Sequence, residues 1–219
     1  MTTPLSFVLA NTVLTTPSLV PEIRLHLATE ILPLWTRTEE EIETQGLPPP
    51  YWAFAWAGGQ ALARYVLDNP EIVRGRVVLD FGSGSGLVAI AAAKAGAASV
   101  IAADIDTFAA AAIAANASAN AATLAVEQDD VLLHACRWQT VLVGDMCYER
   151  PLADLLLAWL TNAARNGTTI FLGDPGRSYF PKSGVEKLAS YQVQTSRELE
   201  DRDIRATAVY RLRPADGPT

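Results

Sequence analysis

Cysteine and histidine each occur only twice in the 219 residues, at Cys136 and Cys147 and at His26 and His134. Two thiols cannot build a disulfide framework, and so few scattered ligands exclude a zinc-type cluster, so a metal-free site in a reducing compartment is expected. Basic residues are outnumbered: 17 Lys and Arg stand against 24 Asp and Glu, for a formal net charge of −7. A broad phosphate-binding surface would have to be built against that field, so nucleic acid is excluded as a partner, whereas a segment carrying lysines would be drawn in. No apolar run reaches membrane-spanning length, because Lys94, Asp104 and Asp106 break the alanine-rich stretches. The opening MTTPLSFVLANTVLTTPSLVPE has no basic residue before Arg24, so neither a secretory signal nor a mitochondrial presequence is expected, and the chain reads as cytoplasmic.

What is present is a globular composition, with 50% hydrophobic and 19% charged residues, and a length that suits one α/β domain. Residues 1–49 differ from the rest. SLVPEIRLHLATEILPLWTRTEEEIETQG mixes apolar residues at helical spacing with the acidic run Glu39, Glu40, Glu41 and Glu43, and predicts a helical extension with a solvated face; a dock for a basic partner is the other reading of that run. Gly46 to Pro50 then breaks the pattern, and residues 50–219 form the main domain.

From Arg76 the chain alternates. RVVLDF, SVIAAD, TLAVEQ, TVLVGD and TTIFLGD read as strands, while LVAIAAAKAG, TFAAAAIAANASAN (with Thr107 as N-cap) and PLADLLLAWLTNAA read as the helices between them. Such alternation implies parallel strands with helices on both faces of one sheet. Toward the C-terminus VEKLAS reads as a short helix, and YQVQTSREL and ATAVYRLRP as two strands around the charged turn EDRD, a hairpin that would extend the sheet edge.

The sharpest motif is VVLDFGSGSG, residues 77–86. Gly82, Gly84 and Gly86 after a buried strand let the backbone come close to a ligand at the start of a helix. A dinucleotide fingerprint needs its third glycine at position 87, which is Leu. Asp80 in front of the glycines would repel a pyrophosphate but suits an ammonium group, which selects S-adenosylmethionine, with its amino acid part near the loop and Asp80 holding the amino group directly or through water. Asp104 ends the next strand, placed for the ribose hydroxyls, though it or Asp106 could instead cap the following helix. Asp130 is placed for the adenine amino group, and Asp129 is an equal claimant by spacing.

These residues resemble the class I, seven-stranded S-adenosylmethionine-dependent methyltransferases over about residues 50–213. PPYWAFAWAGGQALARYVLDNPEIVRG, GDMCYE at 144–149 and LGDPGR at 172–177 resemble more closely the lysine methyltransferases of the electron-transfer flavoprotein β-subunit. These belong to a wider family of non-histone protein lysine methyltransferases with an acid-x-x-Tyr signature after strand four, here Asp145, Met146, Cys147, Tyr148. The resemblance implies a protein substrate, lysine as acceptor and the sheet order 3-2-1-4-5-7-6 with strand seven antiparallel. Animal members carry a mitochondrial presequence, so a bacterial member acting in the cytoplasm as a monomer is the expectation here. Alternative acceptors are a ribosomal protein, as in L11-type enzymes, another protein or a small amine. From other classes come an inactive S-adenosylmethionine-binding module and a nucleotide-dependent oxidoreductase.

Methyl transfer needs a neutral amine, whereas free lysine has a pKa near ~10.4. By the resemblance, Asp145 would accept a hydrogen bond from the amine and orient it, and Tyr148 would line the lysine channel. The cofactor-binding candidates are Trp56, Asp80, Gly82, Ser83, Gly84, Gly86, Asp104, Ile105 and Asp130. Tyr51, Asp174 and Arg177 are candidates for the substrate protein. The aromatic run Tyr51, Trp52, Phe54 and Trp56 lies before the first strand of the sheet and can fold back over the glycine loop, where rings attract a sulfonium or a lysine chain by roughly 0.5–2 kcal/mol each. Cys136, Cys147, His26 and His134 carry no role.

Overall fold

Parallel strands need long crossovers, and the alanine-rich segments between the β-branched runs supply them. The computed structural model describes residues 3–29, 49–195 and 203–213. The N-terminal part contains α1 (Pro4–Ala10) and an antiparallel pair, β1 (Val13–Thr15) with β2 (Leu25–Leu27). After a 3-10 turn at Tyr51–Ala53 come α2 (Ala57–Asp68), β3 (Val77–Phe81), α3 (Leu87–Lys94), β4 (Ser99–Ala103), α4 (Thr107–Ala119), β5 (Ala125–Glu127), β6 (Thr140–Gly144), α5 (Arg150–Arg165) and β7 (Thr169–Asp174). The hairpin β8 (Val185–Gln194) and β9 (Ile204–Leu212) completes a seven-stranded sheet in the order β5-β4-β3-β6-β7-β9-β8. Counted from β3, this is the expected 3-2-1-4-5-7-6, with β9 antiparallel to β7.

Alternation along each central strand feeds two hydrophobic layers. Val78 and Leu142 pack with Leu62, Val66, Ile90 and Ile113, while Leu79 and Val141 pack with Leu156 and Leu160 of α5 on the other side. All of these side chains are fully buried. Among the described residues, no helix is long and apolar enough to cross a membrane.

Three local expectations are corrected. Residues 185–190, expected as a short helix, belong to β8, because their backbone pairs with residues 208–212 of β9 across a bulge between Lys187 and Ala189; tertiary pairing overrides local propensity. The N-cap of α4 is Asp106, not Thr107: its carboxylate accepts the Phe108 N–H at 2.8 Å. Residues 18–29 are turn and strand instead of helix, since Ile23, Leu25 and Leu27 are buried with a period of two. The remainder of that expected helix, residues 30–48 with the acidic run, lies outside the described residues, as do positions 200–202 of the expected EDRD turn.

The N-terminal unit rests on α4. Phe7 meets Phe108 with ring centroids 4.9 Å apart, and Val8 is fully buried among Trp52, Ala53, Ala109 and Ala112. Two asparagines one helical turn apart hold the backbone: Asn116 Oδ1 accepts from His26 N at 2.7 Å, and Asn120 Oδ1 accepts from Arg24 N at 3.0 Å. Asn116 also donates to the Ser85 carbonyl at 2.8 Å, so one fully buried side chain joins the N-terminal pair to the glycine loop.

Candidate active site

The carboxyl ends of β3, β4, β6 and β7 converge where open α/β sheets bind ligands. At the end of β3, Gly82, Gly84 and Gly86 all have positive φ. At Gly82 the surroundings are also tight: an added Cβ would lie 2.8 Å from Met146 Cε, so the Met146 side chain would have to move, and the loop after β3 and the loop after β6 touch there. Three amides of this loop are already engaged. Ser83 N donates to the Ala103 carbonyl at 3.0 Å, Gly84 N to Asp104 Oδ2 at 2.8 Å, and Gly86 N to the Ser83 carbonyl at 2.9 Å. A pyrophosphate would need those donors, whereas a phosphate-free adenosyl amino acid does not, and this observation fits S-adenosylmethionine.

Two acids frame the loop. Asp80 is 2% exposed; its Oδ2 accepts from the Ser83 hydroxyl at 2.6 Å and from Ala89 N, inside α3, at 2.9 Å. Burial pushes its carboxyl up to about 7, a position that a bound ammonium would reverse. Asp104 is also raised by burial, while its oxygens accept one backbone N–H each, from Gly84 and from Asp106. Lone pairs remain on both oxygens for a vicinal diol. Ile105 beside it is 74% exposed, an apolar side chain facing solvent at the rim. Asp130 caps the short 3-10 turn Val131–Leu133 through Leu132 N at 3.0 Å.

The second half of the site is built around Asp145. Its φ of 59° puts a non-glycine residue in the left-handed region, and three groups among the described residues help to hold it there. Its N–H donates to the Gly173 carbonyl at 2.9 Å, its Oδ2 accepts from Gly59 N at 2.7 Å, and its Oδ1 accepts from Arg177 Nε at 3.1 Å and Nη2 at 2.7 Å. Gly59 lies in the first turn of α2, so the carboxylate answers an N–H that the helix cannot satisfy internally. This close approach needs the first glycine of AWAGGQAL: a Cβ on Gly58 would lie 2.6 Å from Asp145 Oδ2 and 2.7 Å from the Gly173 carbonyl carbon. Asp174, 2% exposed and raised by burial, shapes the DPGR turn by accepting from Gly176 N and Arg177 N, both at 2.7 Å.

Aromatic rings border this carboxylate. Tyr51 meets Tyr148 with centroids 5.4 Å apart and Trp56 at 6.0 Å, and the Arg177 guanidinium lies 5.4 Å from the Trp56 ring centroid. Tyr51 and Tyr148 are 42% and 38% exposed, so the cluster opens to solvent. Burial, then the neighbouring Tyr51 and Glu149, push the Tyr148 phenol above its ordinary range, so it stays neutral. Trp56 thus stands on the Asp145 and Arg177 side of the site. The aromatic whose backbone lies against the glycine loop is Trp52, its Cα 3.7 Å from where a Gly84 Cβ would be. The thiol of Cys147, buried and beside Asp174 and Asp145, is pushed up to about 12 and is inert as a nucleophile.

The structure therefore brings together Asp145, Tyr148, Tyr51, Trp56 and Arg177, and separately Asp80, Ser83, the three loop glycines and Asp104. Met146 bridges the two groups. Sequence reasoning missed Gly58, Gly59, Met146 and Asn116. Only the Gly-Gly pair left a legible signal, as two glycines at a helix start that has no entropic reason to hold them.

A sheet of this order with a closed glycine loop and an acid on the next strand defines the class I S-adenosylmethionine-dependent methyltransferase fold. Solved structures agree: a magnesium protoporphyrin IX methyltransferase from Synechocystis PCC 6803 superposes with a TM-score of 0.57 at 14% identity over 85% of this chain and 100% of that one. A ribosomal protein L11 methylase from Lactobacillus delbrueckii subsp. bulgaricus gives a TM-score of 0.52 at 21% identity over 77% and 82%. The profile of the ribosomal protein L11 methyltransferase (PrmA) family matches residues 60–170. The electron transfer flavoprotein beta subunit lysine methyltransferase of Xenopus laevis is 41% identical over 97% of this chain and 88% of its own length, and that of Homo sapiens 38% identical over 95% and 82%. The chain belongs to the family of electron transfer flavoprotein beta subunit lysine methyltransferases.

Proposed function

We propose that this chain transfers methyl groups from S-adenosylmethionine to lysine ε-amines of the electron-transfer flavoprotein β-subunit. The observation that carries the reading is Asp145: a carboxylate, 8% exposed, fixed at the rim between the glycine loop and the exposed pair Tyr51 and Tyr148. A ribosomal protein as acceptor is less well supported. The full-length relatives at 33–41% identity carry the flavoprotein name, while the L11 likeness is a family profile and a fold match at 21%.

The bound donor supplies an electrophilic methyl on a sulfonium; the nitrogen lone pair forms the new N–C bond as the C–S pair returns to sulfur, leaving a thioether and an N-methylated lysine. The chain's own work is positioning. Tyr51, Tyr148 and Trp56 receive the methylene stem of lysine and exclude water from it. Asp145 accepts a hydrogen bond from the amine nitrogen and points its lone pair toward the donor pocket. The lysine proton leaves to solvent before entry, since burial among rings disfavours the charged form. The free thiols Cys136 and Cys147 suit a reducing compartment, and we place the reaction in the cytoplasm of a bacterium, with the chain acting as a monomer.

Incubation with purified β-subunit and isotopically labelled donor, followed by peptide mass spectrometry, is expected to show label on lysine. Asp145→Asn should keep S-adenosylhomocysteine binding and lose transfer, and unchanged turnover in that variant refutes the role of Asp145.

A further inference from the structure

Two leucines stand out on the surface near the rim. Leu133 is 78% exposed at the end of the 3-10 turn Val131–Leu133, and Leu155 is 65% exposed in the first half of α5. Neither serves the core, since α5 buries Ala153, Leu156, Leu160 and Ala163, and the turn buries Val131. The two segments are fastened together: Trp159 Nε1, one turn after Leu155, donates to the carbonyl of His134 at 2.7 Å. Pro151, Ala158 and Ala135 are exposed on the same segments and add to the apolar surface. At about 1.5 Å per residue, Leu155 stands roughly 8 Å along α5 from its start, and Tyr148 of the proposed lysine channel lies two residues before that start. A standard interface covers about 800 Å² per partner, a disc of roughly 16 Å radius, so a protein docked over the channel reaches this face.

We propose that the face formed by Leu133 and Leu155 docks the acceptor protein, binding a segment that presents an apolar side chain and further basic residues beside the lysine to be methylated. The inference rests on the lysine-transfer reading above and extends it from the channel to the surface around it. Charge selects that occupant. Asp129 and Asp130 precede the Leu133 turn, Glu149 is the N-cap residue of α5, and Asp154 adjoins Leu155. All four are exposed, and none is in an ion pair with a described residue. The arginines of the same segments are engaged: Arg137 pairs with Glu127 at 3.0 Å, and Arg150 lies over the Tyr179 ring. Exposed carboxylates around an apolar centre attract a basic segment and repel an acidic one, while the leucines supply contact area that leaves water once covered. A second copy of this chain, packed symmetrically, would bring the same carboxylates face to face, which disfavours it as the occupant.

The test compares the wild-type chain with L133S/L155S and D154K in steady-state methylation of the purified β-subunit, alongside S-adenosylhomocysteine titration and light scattering. L133S/L155S is expected to raise KM for the β-subunit at least about tenfold, while kcat and S-adenosylhomocysteine affinity stay within about twofold. General loss of structure would lower kcat and donor affinity as well. D154K should raise KM about two- to tenfold and flatten its dependence on salt, because it removes an attraction that salt screens. A KM for L133S/L155S within about twofold of wild type overturns the proposal. Two results with that unchanged KM name another occupant: a wild-type dimer that the double substitution makes monomeric assigns the face to a second copy, and a lowered melting temperature assigns it to the chain's own residues. Should L133S/L155S fail to fold, as judged by the titration, hydroxyl-radical footprinting of the wild-type chain decides. Protection of Leu133 and Leu155 by the β-subunit supports docking, and no protection overturns it. If the wild-type chain transfers no methyl to the β-subunit, the functional reading falls before any variant is made; transfer with unchanged KM in the variants removes the docking surface and leaves that reading standing.

Discussion

Replacing Asp80 by Asn should change the pH dependence of both folding and donor binding. The group is 2% exposed, and burial lifts its carboxyl from 3.8 to about 7. Because the folded-state value lies above the unfolded one, the contribution to stability is fully present below about pH 4. It is lost as pH rises to about 7, and is constant beyond. About three units at 1.36 kcal/mol each make this loss roughly 4 kcal/mol in the free protein. Asn can keep an oxygen toward the Ser83 hydroxyl and Ala89 N–H without carrying charge, so Asp80→Asn should match wild type near pH 4 and exceed it in stability at pH 8. Denaturant melts at the two pH values measure the difference directly. Binding reports the same charge with opposite consequence: an ammonium group favours ionised Asp80, so S-adenosylhomocysteine should release protons on binding, more at pH 6 than at pH 8. Calorimetry in two buffers of different ionisation enthalpy gives the number released. Equal pH slopes for both proteins, with no proton release on binding, would refute the assignment of a neutral acid beneath the free loop.

Gly58→Ala should lower stability by about 1–3 kcal/mol, since the added methyl meets Asp145 and the β7 backbone. Methylation should drop at least about tenfold as α2 withdraws from the carboxylate, with thermal melts and turnover as readouts. Tyr148→Ala should raise KM for the β-subunit by about two- to thirtyfold, equivalent to roughly 0.5–2 kcal/mol of ring contact, while Tyr148→Phe stays within about twofold. Asp104→Ala removes the acceptor of the Gly84 N–H and, on the proposed reading, that of the ribose hydroxyls; S-adenosylhomocysteine affinity measured by titration should fall at least about tenfold.

The sheet was readable because its strands are short apolar runs whose helices and turns agree with them locally, as VVLDFGSGSG does. Where local and tertiary preferences diverge, sequence reading failed: VEKLAS favours helix by propensity and became strand by pairing with β9. The acids at the strand ends were legible because topology alone places them at the rim. The partners of Asp145 were not. Arg177 is 32 residues away and Gly59 is 86 away in the chain, and no periodicity encodes a contact of that kind. Trp56 illustrates the same limit, since four rings in six residues announce a cluster without saying which ring turns toward which half of the site.

Asn116 has a consequence for any shortened form of this protein. Its amide spans from the first 29 residues to the carbonyl of Ser85 in the donor loop. Deleting the leading segment would strand an unmatched acceptor in the interior next to the methyl donor. Loss of methyl transfer after such trimming would therefore report a deformed donor pocket before it reported anything about recognition of the acceptor protein.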